Sequence, residues 1–82
     1  MLTIRQYLRS LDKEKLRNLF EQSRLTSEEY KLVSYAFINK YLVAKSCELL
    51  GMSKTKYHSC LNEALAKINF QLSILNSVLF DE

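Results

Sequence analysis

Turn-forming residues are nearly missing from this chain: its 82 residues include no proline and one glycine, Gly51. With turn formers this scarce, the expected fold is all helical. Histidine occurs once, as His58, and cysteine twice, as Cys47 and Cys60. No set of acid, base and nucleophile can be assembled from that supply, and a domain this small has little room for a deep substrate cleft, so the protein is not expected to be an enzyme. The opening MLTIRQYLRSLDK lacks the charged-then-apolar architecture of a signal peptide, which together with the two cysteines sets the expectation of a reducing cytoplasm. A membrane span is also missing. Residues 68–80 carry no charge, but they include Asn69, Gln71, Ser73, Asn76 and Ser77 and fall short of the roughly 20 apolar residues that a span needs.

What is present fits one small globular domain over residues 1–82. The chain is 48% hydrophobic and 26% charged, a balance of neither disorder nor low complexity. Its net charge of +3 leans toward an anionic partner without the density of a basic tail. The first 25 residues hold six of the twelve lysines and arginines against three acids, and nothing basic follows Lys67.

Helical spacing divides the chain. Leu2, Tyr7, Leu8 and Leu11 suggest a short first helix, and Asp12 can cap a second that carries Leu16, Leu19 and Phe20; the two could also be one bent helix. In LTSEEY, Thr26 and Glu29 form a capping box, with Leu25 and Tyr30 placed as a hydrophobic staple. That third helix is expected to bury Tyr30, Val33, Ala36, Phe37 and Ile38 and to end near Asn39 and Lys40. Residues 43–50 read as a short helix stopped by Gly51, Ser53 caps the next, and helical spacing then runs to about Leu79. The expected architecture is therefore a small all-α domain with a helix-turn-helix over residues 43–62 and a long C-terminal helix.

A helix of about eight residues, a turn holding glycine and a second helix form the plan in which the second helix enters the major groove of DNA. Cys47 stands where a small side chain lets the helices approach, and Leu50, Met52, Tyr57, Cys60 and Leu61 fall on the inward side. Lys54, Thr55, His58, Ser59 and Asn62 fall roughly opposite. Lys54 and Lys56 suit phosphates, as do Lys40 and Lys45 flanking the first helix, and Ser53 offers a helix N-terminus. Asn62 could pair with adenine or serve a structural role. Cys47, His58 and Cys60 would supply at most three metal ligands at a spacing that fits no zinc pattern, so the cysteines are expected to pack as small hydrophobes, with no metal or cofactor.

The stretch from Leu25 to Ile68, a little over half the chain, resembles region four of bacterial sigma factors and the small stand-alone regulators built on it in Gram-positive bacteria, phages and mobile elements. The resemblance lies in the opening LT-x-E-E, the turn x-E-L-L-G-M-S and the run x-x-L-N-x-A-L-x-K-I. It implies that Lys54, Thr55, Lys56, His58, Ser59 and Asn62 lie on a recognition helix that reads double-stranded DNA. The chain departs from the family pattern at Glu63, where a base is usual, at Tyr57, where a smaller β-branched residue is preferred, and at Cys47, where alanine is. It also lacks the regions that melt DNA and grip polymerase, so it resembles a regulator and not an initiation factor.

Leu61, Leu65, Ile68, Leu72, Leu75 and Leu79 follow each other at alternating intervals of four and three, a heptad seam. Beyond Ile68 the apolar residues exceed what one stripe needs, so a second surface must cover some of them. The expectation is a homodimer through Phe70, Leu72, Leu75 and Leu79 in residues 68–80; the alternative is that the N-terminal helices fold over this end. A second functional reading keeps the helix-turn-helix as scaffold and has the apolar C-terminal helix dock on RNA polymerase or a host factor.

Overall fold

The computed structural model describes residues 3–75, which form five helices and no strand. Helix α1 is Ile4–Ser10 and α2 is Lys13–Gln22, so Leu11 and Asp12 separate two helices and the bent single helix is set aside. Asp12 caps α2 by accepting from the Lys15 N–H at 2.8 Å. Thr3 and Gln6 form a second capping box at the start of α1, a T-x-x-Q signal that the sequence reading passed over.

Helix α3, Ser27–Val33, begins at the expected box: Glu29 N–H donates to Thr26 Oγ1 at 3.1 Å and Thr26 N–H to Glu29 Oε1 at 2.9 Å. It does not continue as an α-helix to Asn39. Residues Ser34–Ile38 widen into a π turn, in which Asn39 N–H reaches back five residues to the Ser34 carbonyl at 2.9 Å. The wider turn stacks Ile38 above Val33, five residues earlier, whereas α geometry would rotate it well off that face. The core stripe is thus Leu32, Val33, Phe37 and Ile38, while Tyr30 and Ala36, expected inside, are only half-buried. Lys40 closes the segment in a left-handed conformation with φ of 58°.

Helix α4 is Val43–Leu50 and α5 runs over Lys54–Leu75. Among the described residues, Phe20, Leu8, Leu16, Leu32, Val33 and Ile68 are fully buried, and α5 lies against α2, α3 and α4. The core is therefore a sheath of short helices around one side of a 22-residue rod about 33 Å long. No helix among the described residues is long and apolar enough to cross a membrane.

Candidate nucleic-acid interface

The α4–α5 pair is held by its turn. Gly51, at φ 67° and ψ 38°, occupies the left-handed region that favours glycine. Its N–H donates to the Glu48 carbonyl at 3.3 Å, and the Met52 N–H donates to the Cys47 carbonyl at 3.1 Å, so two carbonyls of the last turn of α4 are satisfied as the chain reverses. Ser53 then caps α5: its Oγ accepts from the Lys56 N–H at 3.2 Å. That hydroxyl keeps its own proton free to donate.

Behind the turn, α5 buries Tyr57, Leu61, Ala64, Leu65 and Ile68, and α4 buries Ser46 and Cys47. Ser46 is fully enclosed, more so than Cys47. Burial pushes the Tyr57 phenol above its ordinary pKa; the nearby Ser46 hydroxyl eases that shift without a hydrogen bond of standard geometry, and Arg5 of α1 lowers it further. Arg5 is an exposed cation of α1 whose charge acts on Tyr57, an influence that spacing along the sequence could not reveal.

Lys54, Thr55, His58, Ser59 and Asn62 are all exposed; Thr55, Ser59 and Asn62 turn away from Tyr57 and Leu61, whereas Lys54, seven residues before Leu61, and His58, three before it, stand beside the buried stripe and not opposite it as expected. The His58 ring stands edge-on to the Tyr57 ring at 5.4 Å, which anchors its base while leaving the imidazole in solvent. Lys56 is exposed but stands on the flank of Cys60 and Glu63, apart from this group. On α4, Lys45 Nζ lies 5.5 Å from the Tyr41 ring centroid, and Tyr41 in turn packs beside Tyr35 at 5.6 Å. Tyr41, adjacent in sequence to Lys40, is a polar-tipped aromatic the sequence reading did not single out. From Lys40 to Asn62 the chain holds four lysines against Glu48 alone, a surplus equal to the whole net charge of +3.

The thiols offer little chemistry. Cys47 is buried, and Cys60 is half-buried with its pKa raised by burial and by the Glu28 carboxylate 3.9 Å away, the reverse of what a reactive thiolate needs. Among the described residues no three His, Cys, Asp or Glu side chains come together as metal ligands.

Of the residues expected at a contact between copies, Phe70 is exposed and Leu72 is half-buried against the intramolecular core. The Leu75 side chain and Leu79 lie outside the described residues. No known protein-family model, characterised protein or solved structure gives a significant match to this chain.

Proposed function

We propose that this protein is a sequence-specific DNA-binding transcription regulator of the cytoplasm, acting through the N-terminal half of α5 in the major groove. The observation that carries the reading is that this stretch of helix buries Tyr57 and Leu61 while Lys54, Thr55, His58, Ser59 and Asn62 all stand exposed around them. Its resemblance to sigma region four adds support from the residues around Gly51. In this reading Lys40, Lys45 and Lys54 meet phosphates, the Ser53 hydroxyl donates to one, and Thr55, His58, Ser59 and Asn62 face base edges. Lys56, on the flank, contributes charge more than contact.

Phosphate contact makes binding depend on salt. With three to four lysines engaged, log K is expected to fall with log salt at a slope of about −3. Titration of labelled duplex DNA at several salt concentrations tests this, and a flat response or no binding at low salt rejects it. Lys54→Ala should reduce the slope by about 0.9 at every sequence, whereas Asn62→Ala should relax preference at one base position.

The exposed Phe70 and Ile74 favour a second reading, in which α5 docks on another protein, polymerase or a host factor, and the α4–α5 pair is scaffold. A chain that binds no DNA but captures a partner only while Phe70 is intact decides for it.

A further inference from the structure

Residues 30–47 hold three lysines, Lys31, Lys40 and Lys45, and no acid. Lys45 stands apart from the other two because its ammonium lies over the Tyr41 ring, 5.5 Å from the centroid. Tyr41 is itself braced. Lys40 turns the chain with φ of 58°, the Tyr41 N–H then donates to the Tyr35 carbonyl at 2.8 Å, and the two phenol rings pack 5.6 Å apart at an angle of 38°. Tyr41 is 37% exposed and Tyr35 half-buried, so the outer ring rests on an inner one that the fold holds.

We propose that Tyr41 is a positioning residue for DNA: its ring holds the Lys45 ammonium in place in the free protein, so that Lys45 meets a backbone phosphate already oriented. The inference rests on the DNA-binding reading above, in which Lys45 is a phosphate contact, and adds to it the residue through which that contact is set.

The manner of holding carries the argument. A lysine in open solvent spreads over many rotamers, and fixing it on a phosphate costs much of that freedom. A carboxylate would restrain the side chain in advance but would also neutralise it, as Glu29 does for Lys67 at 2.7 Å. An aromatic face attracts a cation through its quadrupole and has no net charge, so it restrains Lys45 while leaving a full positive charge for an anion. Glu48, three residues after Lys45, is the acid nearest to it in sequence, and the two form no ion pair. Among the described residues no other lysine lies over a ring, so Lys40 and Lys54 lose their freedom only on contact with DNA.

Duplex affinity measured through a double-mutant cycle tests the role. Tyr41→Leu should weaken binding about threefold, the scale of an exposed cation over a ring. Its salt slope should stay unchanged, because the lysine keeps its charge. Lys45→Ala should lower the slope by about 0.9, and in that background Tyr41→Leu should have no further effect. Tyr41→Phe keeps the ring and should bind as the unsubstituted chain does. In the free protein, nuclear magnetic resonance should place the ε-methylene protons of Lys45 upfield of those of Lys40, a ring-current signature that Tyr41→Leu abolishes and Tyr41→Phe keeps. An absent shift, equal or tighter binding by Tyr41→Leu, a loss that persists in the Lys45→Ala background, or a Tyr41→Phe chain as weak as Tyr41→Leu overturns the proposal and leaves the DNA reading standing. A chain that shows the shift yet binds no duplex at low salt rejects the DNA reading, and this role with it.

Discussion

Among the described residues, three have positive φ: Arg24 at 56°, Lys40 at 58° and Gly51 at 67°. Only one of them is glycine. A side chain in that conformation costs about 1 kcal/mol or somewhat more, because Cβ crowds the carbonyl oxygen. Gly51→Ala should therefore destabilise the fold by about 1 kcal/mol, and the cost is confined to the backbone, since an added Cβ meets nothing within 4 Å. Lys40→Gly runs the other way and should stabilise by about 0.5 kcal/mol, the steric relief less the greater freedom of glycine in the unfolded chain. Urea unfolding followed by circular dichroism measures both. Lys40→Gly also removes a cation, so a chain that becomes more stable while its DNA salt slope shrinks would separate the two roles of that position. Gly51 was legible in the sequence because no other residue suits the turn so well. The conformations of Arg24 and Lys40 were not, since a long basic side chain gives no sign of which backbone well it occupies.

At the scale of elements, the start of α3 was legible and its tie to α5 was not. Thr26 and Glu29 advertise the capping box by spacing alone, but Glu29 Oε1 also accepts from Lys67 Nζ at 2.7 Å, thirty-eight residues away. Burial raises the Glu29 carboxyl, and the Lys67 ammonium together with the Thr26 N–H and hydroxyl outweighs it, leaving the pKa below its ordinary value of 4.5. A lowered carboxyl stabilises the fold above its unfolded value and loses that contribution as pH falls through the folded one. Glu29→Gln keeps the cap but ends the ion pair. It should cost about 1 kcal/mol at neutral pH, a modest figure because the Lys67 side chain is 42% exposed. The gap to the unsubstituted chain should close as the medium is acidified below 4.5, which the urea midpoint across a pH series will register. The π turn was illegible for a different reason. The sequence SYAFI satisfies α spacing well enough on its own, and only the need to bury both Phe37 and Ile38 against the core favours the wider geometry. Deleting Ala36 should restore α register with Ile38 now four residues after Val33 and so still on the core face, and should cost no more than about 1 kcal/mol in an unfolding titration.

For the whole molecule, the all-helical class followed from what the chain lacks, and the exposure of Thr55, Ser59 and Asn62 on α5 followed from the turn at Gly51. The seam of leucines read as one continuous surface, yet Leu61, Leu65 and Ile68 are consumed inside the monomer and the exposed Phe70 and Ile74 lie across the helix from them. Heptad counting follows one stripe; which stripe the short helices cover depends on contacts from α2 and α3 that sequence spacing does not reveal. Arg5 likewise acts on Tyr57 only through the fold. Since α5 passes unbroken from the capped turn at Ser53 to Leu75, it acts as a lever whose fulcrum is the core at Leu65 and Ile68. A tilt of about 5° about that fulcrum sweeps the side chains near His58 through about 1 Å, a third of a hydrogen-bond length, so a ligand that presses on the far end of this rod could detune recognition without touching the reading face.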